Sequence, residues 1–207
     1  YIELLHKRGN EPMKTPVGVL GPMMPESERF IGRGEELHAL SDWYDAGKGN
    51  ILVIYGIAGI GKTSLASKFA GSIKDTRTFY LRVREWDSSR WLLESLGNAL
   101  AGMGDERLQT YLRSQLHEDL TNVSLILRES LLSTRPLLIL DDVWTASKEV
   151  WRVIMPICET VSESRAKMIL ISREFPSQLE GSLEARGIVS RLRVEGLKDD
   201  EARQLLE

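Results

Sequence analysis

The stretch Gly56-Ile57-Ala58-Gly59-Ile60-Gly61-Lys62-Thr63 has the residue types and the spacing, G-x-x-x-x-G-K-[ST], to hold a phosphate chain. Its glycines let the backbone curl around an anion with no Cβ in the way. The backbone N–H groups from Gly56 through Ile57, Ala58, Gly59, Ile60 and Gly61 to Ser64 can then face that anion, helped by the dipole of the helix that starts there. Lys62 can reach the β- and γ-phosphates of a nucleotide, and the Thr63 hydroxyl can ligate Mg²⁺.

A phosphate loop needs a metal partner. Four apolar residues, Leu137, Leu138, Ile139 and Leu140, run into two carboxylates, Asp141 and Asp142. Ligands of open α/β sheets bind at the carboxyl ends of strands. Asp141 is therefore placed to hold Mg²⁺, directly or through water, and Asp142 to polarise an attacking water. Arg173 ends another apolar run, 167–172, and brings a cation to the same edge, able to sense a γ-phosphate or bind a β-phosphate. The plainer alternatives are a glycine-rich turn, a solvated aspartate pair capping a helix, and an ordinary surface arginine.

These side chains require strands and helices in alternation. Ile51, Leu52, Val53, Ile54 and Tyr55 form a strand into the loop, and Leu65, Phe69 and Ile73 mark one face of a helix out of it. A second strand is expected over 78–83, where Phe79, Leu81 and Val83 alternate. Residues 90–132 read as mostly helical, broken at 101–105, and His117 falls in that helical reading. The run 137–140 fits a buried parallel strand. A helix through Val150, Val153 and Ile154, a strand over 167–172 and a shorter one over 189–194 follow. Such alternation implies a parallel sheet with helices on both faces. A further helix is expected over 35–44. Trp86, Trp91, Trp144 and Trp151 read as core or part-core residues, Trp144 under the sheet edge.

A chain of 207 residues, 42% hydrophobic and 28% charged, suits one soluble α/β domain, or one domain with an appended piece. Gly9, Pro12, Pro16, Gly18, Gly21, Pro22 and Pro25 make 9–28 a linker or extended arm, and 1–8 reads as the end of a preceding helix. A net charge of −3 argues against nucleic-acid binding by charge. Cys158 is the only cysteine and reads as a buried thiol, which excludes an intrachain disulfide and a cysteine metal site. No apolar run approaches the ~20 residues of a membrane helix, and no signal peptide is visible, so a cytoplasmic location is expected. The chain starts at Tyr1 and stops inside a helical pattern at 199–207, so it reads as an excerpt of a longer protein.

Residues 30–37, FIGRGEEL, resemble the F-[IV]-G-R-x-x-E-L signature that precedes the P-loop in the AP-ATPase (NB-ARC) branch of STAND signalling ATPases. Residues 137–144 (LLILDDVW), 168–174 (MILISRE) and 192–206 (LRVEGLKDDEARQLL) resemble the next segments of that branch, in its order, over about residues 28–207. The resemblance implies a P-loop NTPase, a three-layer α/β/α sandwich with a five-stranded parallel sheet in the order 5-1-4-3-2. It implies that Phe30, Ile31, Gly32 and Arg33 belong to the nucleotide site, with Ile31 and Arg33 on the adenine and ribose side. Lys62, Asp142 and Arg173 would act on the phosphates, Arg173 as the sensor arginine, and Thr63 and Asp141 would hold Mg²⁺. It further implies a switch that binds ADP and ATP, hydrolyses ATP slowly and self-associates in its ATP form, under an upstream effector domain, as in apoptotic and defence regulators. Ile171 stands where many members carry Thr, and Gly34 where Glu is common; neither removes a ligand. The helical and winged-helix lid of the family would lie beyond Glu207, so this piece is expected to bind nucleotide more weakly than the whole and to have lost the switch itself. Two other readings compete with the switch. One is a turnover ATPase or kinase, against which no separate acceptor motif is seen. The other is a nucleotide-free scaffold, against which the intact lysine, threonine and aspartates speak.

Overall fold

Period-two alternation sorts the apolar residues of the chain onto two faces of one parallel sheet in the computed structural model, which describes residues 19, 20, 24, 30–45, 49–115, 117–197, 200 and 203, with Val19, Leu20 and Ser182 by backbone alone. The strands are β1 (Val19–Leu20), β2 (Ile51–Tyr55), β3 (Thr78–Arg82), β4 (Leu137–Asp141), β5 (Lys167–Ser172) and β6 (Val189–Arg193). Their order is β1-β3-β4-β5-β2-β6, and every pairing is parallel. Counted from the P-loop strand, the five main strands run 5-1-4-3-2, as the resemblance implies. The two-residue β1 adds an outer edge within the segment read as a linker or arm.

The helices are α1 (Gly34–Asp45), α2 (Lys62–Ser72), α3 (Ser89–Gly102), α4 (Arg107–Ser114), α5 (Leu120–Thr134), α6 (Lys148–Ser162) and α7 (Ser182–Ala185). Ile51, Val53, Leu138, Leu140, Met168 and Leu170 pack on the side covered by α3 to α6. Leu52, Ile54, Ile139 and Ile169 face α1 and α2. All five residues of β4 are buried, as a central strand with helices on both sides requires. Side-chain caps start three helices on the larger side: Ser88, Asp119 and Ser147 accept from the N–H groups of Trp91, Thr121 and Val150. Asn50 donates to the carbonyls of Val161 and Ser164 at 3.0 and 2.9 Å, tying the start of the P-loop strand to the end of α6.

The structure corrects some expectations. His117 sits in the exposed bend between α4 and α5, not in a helix. Trp151 is buried, but Trp86 is 77% exposed and Trp144 45% exposed, so neither is core. Trp86 lies in a turn after β3 and Trp144 in a short 3-10 helix after β4, both just past strand ends at the ligand edge. Cys158 is fully buried, and burial pushes its thiol up to about 12. The helical readings of 1–8 and, apart from Asp200 and Arg203, of 199–207 lie outside the described residues, as does most of 9–28. Among the described residues, no helix is long and apolar enough to cross a membrane.

Candidate functional site

Gly56 leaves β2 with φ 153°, and a Cβ there would collide with the Val194 carbonyl oxygen. Val194 N donates to Tyr55 O at 2.8 Å, so the end of β6 lies flush against the loop entrance. The first glycine of the motif is therefore required by backbone packing as well as by phosphate access. Gly59 (φ 76°) and Gly61 (φ 95°) supply the left-handed turns that reverse the chain into α2. Gly61 caps α2 without any side-chain bond, which leaves the helix start to an anion.

Lys62 is buried, and its Nζ donates to Gly56 O and Ile57 O, both at 2.8 Å. The ammonium is thus folded back across the loop it serves. Burial pulls it below its ordinary value, although Asp141 and Asp142 act against that pull.

Thr63 donates from Oγ1 to Asp141 Oδ2 at 2.8 Å. The bond joins the first turn of α2 to the last residue of β4, so hydroxyl and carboxylate converge beside the loop. Tyr80, buried on β3, donates its phenol to the same Oδ2 at 3.0 Å, and Asp142 N donates to Oδ1 at 2.8 Å. Burial raises the Asp141 carboxyl above its usual range, opposed by the bond from Thr63 and further raised by Asp142. Burial and the neighbouring Asp141 raise the Tyr80 phenol, which stays protonated as a donor. A hydroxyl and a desolvated carboxylate in contact are hard oxygen donors suited to Mg²⁺, so these residues fit the ion that the motif implies.

Asp142 takes a left-handed backbone (φ 58°), and Arg82 holds its Oδ2 from Nε at 2.7 Å and Nη2 at 2.6 Å. Arg173 stacks on Trp144, with its guanidinium carbon 3.8 Å from the ring centroid, and is close enough to the loop to lower the Lys62 pKa. An open cleft of about 420 Å³ lies at the loop mouth, lined by Tyr55, Gly56, Ile57, Ile60, Arg173 and Phe175 among others. Tyr55 and Phe175 meet edge to face at 6.0 Å on one wall.

The segment before α1 reaches this site through backbone. Phe30 and Ile31 are half-buried, Phe30 packing on the α2 side of the core. Gly32 and Arg33 both have positive φ, 68° and 64°. The buried Arg33 donates to Ile60 O at 2.9 Å, to Glu195 O at 2.6 Å and to Glu36 Oε1 at 2.7 Å. Its guanidinium thus braces the loop against the segment after β6, where the resemblance implies a place beside adenine and ribose. Tyr80 and Arg82 went unread in the sequence. Their signal was present as the polar set between Phe79, Leu81 and Val83, but their partners are about sixty residues away.

A family model described as the NB-ARC domain matches residues 34–207. An uncharacterised WD repeat-containing protein of Nostoc sp. is 30% identical over 208 residues, covering 87% of this chain and 15% of its own length. An Arabidopsis thaliana sequence described as a disease-resistance protein is 26% identical over 152 residues, covering 70% of this chain and 10% of its own. The chain therefore spans a small part of the relatives it matches. Among solved structures, a Pyrococcus horikoshii STAND protein with a tetratricopeptide repeat sensor aligns with a TM-score of 0.63 and 28% identity, over 88% of this chain and 26% of that one.

Proposed function

The chain belongs to the NB-ARC family of STAND P-loop NTPases, and from that premise we propose that it is the nucleotide-binding module of an ADP- and ATP-binding switch that hydrolyses ATP slowly and, in the full-length protein, self-associates in its ATP form. In this reading 28–207 is the nucleotide module and 1–27 links it to an effector domain. The observation that carries the reading is the meeting of Thr63 with Asp141 at 2.8 Å beside a loop whose lysine already folds back onto the Gly56 and Ile57 carbonyls.

Bound Mg²⁺ would neutralise phosphate charge during transfer. The loop N–H groups and Lys62 bind the phosphates, Lys62 by leaving Gly56 O and Ile57 O. Thr63 and Asp141 hold the ion, and Tyr80 keeps the Asp141 carboxylate aimed at Thr63. Asp142 orients water, and Arg173 senses the γ-phosphate from the Trp144 side. The described residues include no helix for a membrane, and the reading assigns this module no nucleic acid and a cytoplasmic setting.

The test is to denature freshly purified protein and identify released nucleotide by chromatography, alongside Lys62→Ala. Stoichiometric ADP in the parent and none in the variant supports the reading. Equal nucleotide affinity in the variant removes the loop assignment, and steady turnover well above ~1 s⁻¹, in the range of kinases, favours a turnover enzyme.

A further inference from the structure

Asp142 is the residue that the functional reading asks to orient water, yet its carboxylate is already taken. Alternation along β4 explains the direction it faces. Ile139 lies on the α1 and α2 side, and Asp141, two residues on, meets Thr63 of α2. Asp142 follows in a left-handed conformation, which a residue with a Cβ keeps only where its surroundings hold it.

Two contacts do so. Thr145 donates from its N–H at 3.0 Å and its hydroxyl at 2.8 Å to Asp142 O. Arg82 grips Asp142 Oδ2 through both Nε and Nη2. Arg82 of β3 pairs in register with Asp141 of β4, and β3 flanks β4 on the side away from β5 and the P-loop strand β2. The grip therefore draws the Asp142 carboxylate sideways, toward the strand farther from the loop.

We infer that Arg82 is a positioning residue that restrains Asp142 away from the phosphate site, so that hydrolysis waits on the opening of this one ion pair. The inference rests on the proposed nucleotide switch. The Arg82 side chain is 62% exposed and that of Asp142 27% exposed. A pair this wet shifts a population by no more than about fivefold, a brake that thermal motion releases and not a lock.

The experiment compares the parent with Arg82→Gln, Arg82→Lys, Asp142→Asn and the Arg82→Gln/Asp142→Asn double variant. Calorimetry measures binding of Mg-ADP, and of Mg-ADP with aluminium fluoride, which mimics the phosphoryl group in flight with its water in line. Single-turnover cleavage of ATP gives the rate. In Arg82→Gln, affinity for ADP stays within twofold, while ADP–aluminium fluoride tightens and cleavage speeds up by about two- to fivefold. Arg82→Lys, a point cation without the fork, falls between. The double variant cleaves at the Asp142→Asn rate, because the gain runs through Asp142. Normal ADP binding with unchanged or slower cleavage in Arg82→Gln overturns the restraint alone, as does a gain that survives in the double variant. A parent chain that binds no nucleotide overturns the functional reading and the restraint with it. Should Arg82→Gln fail to fold, Arg82→Lys carries the same comparison with the charge kept.

Discussion

The guanidinium of Arg173 rests 3.8 Å from the centre of the Trp144 ring, so the expected phosphate sensor leans on an indole that is itself 45% exposed. Cation–π contacts at exposed sites are worth about 0.5–1 kcal/mol, which a phosphate group can outcompete. ATP is therefore expected to draw Arg173 off Trp144 and shift the tryptophan emission, with ADP giving a smaller change. Fluorescence titration checks this. A Trp144→Phe variant that keeps the full ATP-dependent signal would show that another tryptophan reports it.

Gly56→Ala is expected to destabilise the fold by on the order of 2–4 kcal/mol, because the new Cβ overlaps the Val194 carbonyl in addition to the strained φ. Gly59→Ala meets nothing within 4 Å and carries only the cost of its positive φ, about 1 kcal/mol. Urea unfolding of the pair measures the difference. Equal losses would mean that the loop entrance yields to the methyl group.

Tyr80→Phe removes the phenol that donates to Asp141 Oδ2 and leaves the rest of the ring in place. A hydrogen bond to a charged group contributes about 1.5–3 kcal/mol, so a stability loss of that order is expected. The Mg²⁺-dependent part of ADP binding should weaken as well. Calorimetry with Mg²⁺ and with EDTA separates the two effects. An equal drop in both conditions would place the effect in the fold and not at the metal.

Asp105 links α3, α4 and α5, accepting from Arg107 and Ser133 with its side chain 6% exposed. The Arg107 guanidinium is the main cause that holds its carboxyl down at about 2. A depressed carboxyl stabilises the fold above its ordinary value near 3.8 and loses that contribution as pH falls toward 2. Acid titration of Asp105→Asn should therefore show a shallower loss of stability between about pH 4 and pH 2 than the parent. Superimposable acid curves would refute the assignment.

The parts of the site legible in the sequence are the local ones. Gly56 to Thr63 carries its chemistry within eight consecutive residues, and Asp141 follows a short apolar run, Leu137 to Leu140, of the length and composition of a buried strand. The order of the main strands followed from the family likeness. What stayed hidden depends on distant register. Tyr80 and Arg82 belong to the site because Leu81 pairs with Leu140 and Arg82 with Asp141, and no periodicity within 78–83 encodes that alignment. Trp144 was misread for a related reason. Following a buried strand, it looks like core, but the left-handed turn at Asp142 throws it outward under Arg173. Arg33 shows the opposite case, a motif residue whose donors go to backbone carbonyls that only the tertiary fold supplies.

The alternation along β4 gives that strand a parity. Asp141 faces Thr63 because it lies two residues beyond Ile139, an even step along the pleat. Losing or gaining a single residue within Leu137–Asp141 would turn the Asp141 carboxylate away from Thr63 to the other face of the sheet, with almost no change in composition or hydrophobicity. A change of two residues would restore that face but carry the carboxylate about 7 Å along the strand, out of reach of Thr63. In this chain the neighbouring aspartates are therefore not spare copies of one another, and the contact with Thr63 fixes the length of β4 in both parity and reach.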